Sequence, residues 1–472
     1  MAEHSPRRPS PDEFKVKDAL NAANDNILLR AAVIFFIIIC LLIPLSFVNT
    51  IVTERAELQQ EAIGDITARW GRAQQVSGPV LIIPYDRWEE NVETLVDPGT
   101  RQTLEKKTKI KSGIQFMVVL PKALDIQATI NPQERYYGIY RYLVYESPIS
   151  MTGQFHIPSK DQFGADVANI YFKDAYLAAG ISYLRAIGAT STLKWEQAEM
   201  GHFSPGTKTA SLLGDGFHVD IPLEESFDKN FDFAMNFSLR GSESLVFTPV
   251  GEATTIALTG KWDSPSYKGG LSPQERSVSA DGVFSASWSI SHLTRSYPQV
   301  SPIDDYVIND RSEITAFSAG VDLFEPMTLY KQVERAIKYG FLFISLTFIT
   351  LFGFEIAQKK QLHFLQYALV GVSLCVFYLT LLSLAEHISF LMAFIAASVI
   401  TVLMNSLYIA AAMKRVRQGV IIAILLTLLY AALYALLSLE SFALILGTGL
   451  LLVVLAILMF VTRNLPSSGK AA

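Results

Sequence analysis

Four polar side chains, three of them ionisable, fall within or at the ends of long apolar runs: Glu355, Glu386, His387 and Asn405. A charge in hydrocarbon costs about 3 kcal/mol or more, so such groups are kept for function or are tied to a partner. In a helix bundle they could form a proton or ion relay. On the other reading, Glu355, Glu386 and His387 reach headgroup water and Asn405 hydrogen-bonds a neighbouring helix.

A second group is Trp262, Ser264, Ser266, Tyr267 and Arg276, set among Pro265, Gly269, Gly270 and Pro273. That composition predicts a tightly turning loop after a strand. Such loops carry recognition residues, or the stretch is turn chemistry with a packed Trp. Tyr136, Tyr137, Tyr140 and Tyr142 could likewise stack on a glycan or fill a sheet.

Enzyme signatures are missing. There is no His-Glu-x-x-His, no Gly-x-Ser-x-Gly and no Gly-rich loop ahead of Lys-Ser/Thr. The seven histidines are scattered, with His202 and His218 the nearest pair in the polar middle of the chain. Asp304, Asp305 and Asp310 lack the alternating donors of a calcium loop. Ser467 to Lys470 spells Ser-x-x-Lys, but in a terminal tail. No cofactor or metal is expected, and no nucleic-acid partner, since the net charge of −5 is spread without a basic stripe.

The elements that position these residues follow from hydropathy. Six apolar runs, Leu28 to Val48, Ile337 to Phe354, Phe364 to Leu384, Phe390 to Ala412, Val420 to Leu437 and Phe442 to Val461, are near the roughly 20 residues that cross a bilayer. The first is too long, and too far behind its basic head, for a cleaved signal peptide. Arg7, Arg8, Lys15 and Lys17 precede it and Arg30 stands at its start; Lys359 and Lys360, then Lys414, Arg415 and Arg417, occupy alternate connections, and Arg463 and Lys470 follow the last run. By the positive-inside rule both termini are cytoplasmic and residues 49–336 face outward. Lys331, Arg335 and Lys338 run against this, on the outer side of the second span. Cys40 and Cys375 both lie in apolar runs, so the outer segment needs no disulfide framework.

The expected organisation is thus a cytoplasmic tail (1–27), a first span (28–48), an outer domain (49–336), a five-helix bundle (337–461) and a short tail (462–472). Apolar residues from Ile51 to Trp70 recur at helical spacing, so the first span continues outward as an amphipathic helix. Gly78-Pro79 should end it, with Val80 to Pro84 as the first strand. Beyond that, stretches such as Phe231 to Leu239 alternate apolar with polar, predicting antiparallel sheets packed as a sandwich. A second helix, about Pro326 to Tyr339, should lead back into the membrane. The fold class is an α+β membrane protein with six transmembrane helices and a large antiparallel β-rich periplasmic domain.

Several ordered blocks resemble one family, the CreD inner-membrane proteins associated with cell-envelope integrity in Gram-negative bacteria. They are Thr53-Glu54-Arg55-Ala56, Ser77-Gly78-Pro79-Val80-Leu81-Ile82-Ile83-Pro84, Glu134-Arg135-Tyr136-Tyr137-Gly138-Ile139-Tyr140, and Leu258 through Tyr267. To these add Gln366 through Gly371, Leu382 through His387, and Phe460 through Asn464. The resemblance spans the first membrane helix to the last and implies an inner-membrane location and an envelope role, but no mechanism. The expectation is a non-enzymatic protein whose partners are the lipid bilayer and an envelope protein, lipid or glycan, bound or sensed by the periplasmic domain. The alternative is a transporter or lipid-handling protein working through the bundle.

Overall fold

The computed structural model describes residues 27–96, 103–295, 297–308, 311–323, 329–358 and 362–438, with scattered positions from 445 to 459. The predicted N-terminal tail, the sixth run Phe442 to Val461 as a continuous helix, the C-terminal tail, Asp310, Lys359 and Lys360 lie outside the described residues. The chain divides into two compact units, one of Met1–Gln60 with Pro326–Ala472 and one of Glu61–Glu325. These bounds differ from 49 and 336 because hydrocarbon length set the expected ones, whereas packing sets these.

The first unit is helical. α1 (Ile27–Trp70) is continuous through Pro44. Its buried residues Ile34, Ile38, Leu41, Leu45, Val48 and Val52 recur at alternating steps of four and three. That is the seam a helix presents to a packed neighbour. Phe35, Phe36, Ile43 and Phe47 on the other face are exposed. A helix apolar all round, with one face buried in protein, suits hydrocarbon on the other. Among the described residues this unit also holds α2 (Leu329–Lys338), α3 (Gly340–Gln358), α4 (Phe364–Ala385), α5 (Phe390–Met413) and α6 (Val416–Ser438). α1, α4, α5 and α6 are long and apolar enough to cross a membrane, and α2 with α3, bent by 43°, makes a fifth candidate. α4 starts on a capping box, in which His363 N donates to Gln366 Oε1 (3.0 Å) and Leu365 N to His363 Nδ1 (3.2 Å).

The second unit is β-rich. α1 ends at Trp70, and Gly71, at φ +154, leaves no room for a Cβ, which would sit 2.6 Å from Arg240 O. β1 (Gln74–Val96) begins earlier than expected and runs straight through Gly78-Pro79. A register shift between Ser77 and Val80 accommodates the proline, which has no N–H to give the ladder. β2 (Thr103–Lys111) pairs back on Trp88 to Val96, and β3 (Gln115–Val119) on Leu81 to Tyr85. β4 (Ala123–Tyr137) and β5 (Tyr140–His156) form a long hairpin.

Among the described residues β1 to β3 belong to an eleven-stranded sheet, and β4 and β5 to an eight-stranded one. The expectation of purely antiparallel pairing is corrected at two places. β1 runs parallel to Ser244–Thr248, and β4 parallel to Ala253–Lys261. Both parallel pairs join strands far apart in sequence, which local alternation cannot reveal. Val80 to Tyr85, Tyr176 to Ile181 and Ser244 to Thr248 are buried at every position, as in a strand covered on both faces. In the eight-stranded sheet, Ala253–Lys261 and Val283–Ser291 alternate buried with wetter positions. Residues of both sheets enter one hydrophobic core, among them Ile82, Val118, Leu258, Phe284 and Trp288.

Candidate functional site

In the helical unit the sequence-predicted polar residues occupy three separate places. Glu355, on α3, is buried rather than reaching headgroup water. Its carboxylate pairs with the Arg30 guanidinium of α1. It also accepts from Tyr367 Oη on α4 (2.7 Å) and from the backbone N of Leu362 (2.8 Å). Arg30 Nη2 donates to Leu362 O (2.5 Å), and the guanidinium lies over the Phe364 ring (5.5 Å to its centroid). Three helices thus converge on one ion pair. The signal for Arg30 was present, since a charge inside an apolar run needs a counter-charge. Basic-residue counting had absorbed it as a topology marker instead.

Asn405 is buried on α5, accepting from Ser373 Oγ of α4 (2.9 Å) and donating to Thr401 O (2.9 Å). Glu386 caps the C-terminal end of α4, accepts from Tyr330 Oη of α2 (3.1 Å) and lies 4.0 Å from Arg55 Nε. His387, next to it, is exposed, and its backbone N donates to Leu384 O (3.0 Å). Tyr367 and Glu386 are nineteen residues apart on one helix, about 28 Å at 1.5 Å per residue. The four candidates therefore do not form one cluster.

In the β unit, the expected loop after Trp262 contains two short strands. Ser266–Gly269, which holds Ser266 and Tyr267, pairs with Ala319–Asp322 at the edge of the eleven-stranded sheet. Arg276 sits in Glu275–Val278, which pairs with Val283–Ser291 at the edge of the eight-stranded one. The segment passes from one sheet edge to the other, and Ser264 is exposed on the turn that precedes Ser266. Trp262 is half-buried against the core, its backbone N donating to Gly282 O (2.7 Å). The Tyr267 ring meets Trp288 edge-on at 6.0 Å, and Trp288 Nε1 donates to Leu271 O (3.1 Å). Burial raises the Tyr267 phenol, against the pull of the Arg276 charge. Short paired strands too brief for visible alternation explain the misreading.

Of the other expectations, Tyr136 and Tyr137 stand exposed near the tip of the β4–β5 hairpin, and Tyr136 Oη donates to Glu134 (2.7 Å). Tyr140 and Tyr142 are half-buried on the returning strand. His218 Nδ1 lies 2.6 Å from Gly206 O, with its ring on Tyr176, whereas His202 is exposed. Asp304 and Asp305 sit on a single helical turn, Ile303–Tyr306. Among the described residues no three His, Cys, Asp or Glu side chains group as metal ligands.

Asp86 escaped the sequence reading. It is buried on β1 and accepts from Asn169 N (2.6 Å), Asn169 Nδ2 (3.2 Å) and Tyr171 Oη (2.8 Å), with Lys111 Nζ at 3.7 Å. Burial pushes its carboxyl up, but the bonds from Tyr171 and Asn169 and the Lys111 charge outweigh that and hold it below the usual range. The Tyr171 phenol is raised, chiefly by its bond to Asp86. Asn169 and Tyr171 also line an open groove of about 800 Å³ with Lys160, Lys173, Glu224 and Phe227. Its mixed charge and aromatic surface can offer hydrogen bonds and ring contacts to a polar ligand.

Comparison with known proteins bears on the whole chain. Two solved structures, an M1 zinc metallopeptidase from Deinococcus radiodurans and a two-domain M1 zinc metallopeptidase variant bound to L-arginine, each align over 43% of this chain. They cover 41% and 42% of those chains at 7% and 8% identity, and with a TM-score of 0.19 the likeness supports no statement about fold or activity. The inner membrane protein CreD of Escherichia coli (strain K12) is 32% identical over 434 residues, 92% of each chain. The family described as inner membrane protein CreD matches residues 26–466. Bundle and β-rich domain fall together within that match, and the chain belongs to the CreD family of inner membrane proteins.

Proposed function

We propose that the protein is a non-enzymatic inner-membrane component that contributes to cell-envelope integrity or stress response. In this reading the β-rich domain stands in the periplasm, as a sandwich of two sheets, and binds or senses an envelope protein, lipid or glycan. Six spans hold it, with both termini in the cytoplasm.

One observation carries the choice of anchor over conduit. Glu355, the carboxylate best placed for a relay, has its oxygens engaged by Arg30, Tyr367 and the Leu362 backbone. A group so engaged ties helices together and has no open position for cargo. Membership of the CreD family supports the envelope role. The test is a strain lacking the gene, challenged with detergents, envelope-directed antibiotics and bacteriocins. Increased sensitivity, restored by the wild-type chain but not by one lacking the β domain, is the expected result, and unchanged sensitivity overturns the proposal. A phosphatase fused after Pro302 should be active, as a periplasmic position requires.

The second reading, transport or lipid handling through the bundle, is favoured by the buried side chains of Asn405, Tyr378 and Tyr430 within it. Reconstituted protein that moves a proton, ion or lipid across vesicles, and loses that activity in Asn405→Leu, would displace the first reading in its favour.

A further inference from the structure

We infer that the open groove beside Asp86 takes an extended polypeptide, which adds as a strand to the free edge of Val167–Ile170. This rests on the reading that the β-rich domain binds an envelope component, and narrows that component to a protein segment. β1 is flanked unevenly. On one side Tyr176–Ile181 covers it from Val76 to Ile82, and Val167–Ile170 from Tyr85 to Arg87, both antiparallel. Gly216–Asp220 pairs with Tyr176–Ile181 as the next strand out, but does not go on to cover Val167–Ile170. Ile221 N still donates to Ala175 O (2.8 Å) and Leu223 N to Phe172 O (3.0 Å), after which the chain bends out of line at Glu225. Among the described residues Val167–Ile170 pairs with β1 alone. The sheet thus has room for a strand in line with Gly216–Asp220. The groove of about 800 Å³ lies there, lined by residues 167–174 and 222–225.

The open edge has main-chain groups to offer. Asn169 N donates to Asp86 Oδ1 (2.6 Å) and Tyr171 N to Pro84 O (2.9 Å), so both point toward β1. By the alternation of an antiparallel ladder, the N–H and C=O of Ile170 between them point to the other side. An edge of this kind is a template for another chain. It is also held still, because Asn169 Nδ2 (3.2 Å) and Tyr171 Oη (2.8 Å) both donate to Asp86. A guest strand then meets an edge already in its bound shape, which lowers the ordering cost.

This geometry selects the occupant. A polypeptide main chain presents N–H and C=O in the alternation that a strand edge reads, and neither a glycan nor a lipid chain does. Four edge residues at about 3.3 Å each accept a guest of four or five residues. The walls mix both signs of charge, Lys160 and Lys173 with Asp174, Glu224 and Glu225, all exposed. Main-chain bonds rather than net charge therefore decide binding. Phe227, packed edge-on against the buried Phe172 (5.3 Å), offers a fixed ring to one apolar side chain of the guest.

The experiment selects displayed random decapeptides on the full chain in phosphatidylcholine nanodiscs. The selected peptides, made synthetically with a fluorescent label, are then titrated against the wild type, Ile170→Pro and Phe227→Ala. Proline removes the outward N–H of the edge and leaves the bonds to β1 in place. Peptides should be enriched, should bind Ile170→Pro about ten-fold more weakly and Phe227→Ala about five-fold more weakly. N-methylation at alternate peptide residues should weaken binding to the wild type about ten-fold in one phase of the alternation and little in the other, a measurement that needs no variant. The indole unfolding transition of both variants should match that of the wild type, which shows that the edge and not the fold is lost. No enrichment, equal binding to the wild type and both variants, or indifference to N-methylation in both phases overturns the inference. The deletion strain reads the envelope role separately. Raised sensitivity without any enriched peptide removes the polypeptide and leaves that role, whereas peptide binding with unchanged sensitivity keeps the groove and removes the role.

Discussion

The two units bury carboxylates in opposite ways. In the helical unit Glu355 is buried and held by a full guanidinium charge and two further hydrogen bonds. In the β unit Asp86 sits beside an open groove, held by neutral donors and a partly exposed lysine. The difference follows from the surroundings. A helix in hydrocarbon has no water to fall back on, so a carboxylate there must bring its own cation. Near water the same group needs only well-placed dipoles.

The protein supplies a probe for each side of this contrast. All five tryptophans, Trp70, Trp88, Trp195, Trp262 and Trp288, lie in Glu61–Glu325, so indole fluorescence reports the β unit alone. Cys375 is buried on α4, so its reaction with a thiol reagent in a Cys40→Ser background reports opening of the bundle.

The largest expected effect breaks the bundle's ion pair. Glu355→Ala removes the carboxylate paired with the buried Arg30 guanidinium, at a cost of about 3–5 kcal/mol. Cys375 should become reactive at a markedly lower temperature while the indole transition stays in place. Arg30→Leu combined with Glu355→Leu should recover most of the loss, because no lone charge remains. A double variant no better than the single one would show that packing around Leu362 and Phe364, rather than charge, holds the three helices.

A smaller effect comes from the other unit. Gly153 lies on β5 where a Cβ would stand 2.1 Å from Ala123 O, and backbone cannot move aside as a flexible side chain can. Gly153→Ala should therefore shift the β4–β5 ladder and cost about 1–3 kcal/mol. This time the indole transition should move and Cys375 reactivity should not. If both probes move together in either variant, the two units do not unfold separately.

How much of this was legible in the sequence differs between the same two regions. Helix positions followed from length and hydropathy, because a membrane span is a local property of some twenty residues. The α1 seam of Ile34, Ile38, Leu41 and Leu45 was hidden, because every residue around it is also apolar. The alternating strands near Phe231 and Thr254 could be read for the reverse reason, one face being wet. The parallel pairing of β1 with Ser244–Thr248 could not, since nothing local encodes a partner about 170 residues away. For the sites, Glu355 and Asn405 stood out as polar groups in apolar runs, and the structure supplies partners for both. Asp86 did not stand out, because an aspartate at the wet end of a strand resembles any surface carboxylate.

The smallest effect sharpens the contrast most, because it depends on pH. The Asp86 carboxyl is held below its ordinary value in the fold, whereas in the unfolded chain it titrates near about 3.9. A group whose folded value is depressed contributes stability that is present above the unfolded value and is lost as pH falls through the folded one. At neutral pH the contribution is intact, and it should be lost as pH falls below the unfolded value and through the lower folded one. Asp86→Asn keeps the shape but not the charge that attracts Lys111, so at neutral pH its indole transition should lie slightly below that of the wild type. On acidification the two midpoints should converge, with Trp88, whose ring lies 5.7 Å from Lys111 Nζ, as the nearest reporter. Parallel midpoints from neutral pH down to well below the unfolded value would mean that Tyr171 and Asn169 hold the charged and uncharged side chain equally well. The network would then be shape alone, and the β unit would hold its buried carboxylate without drawing on the charge that Glu355 cannot do without.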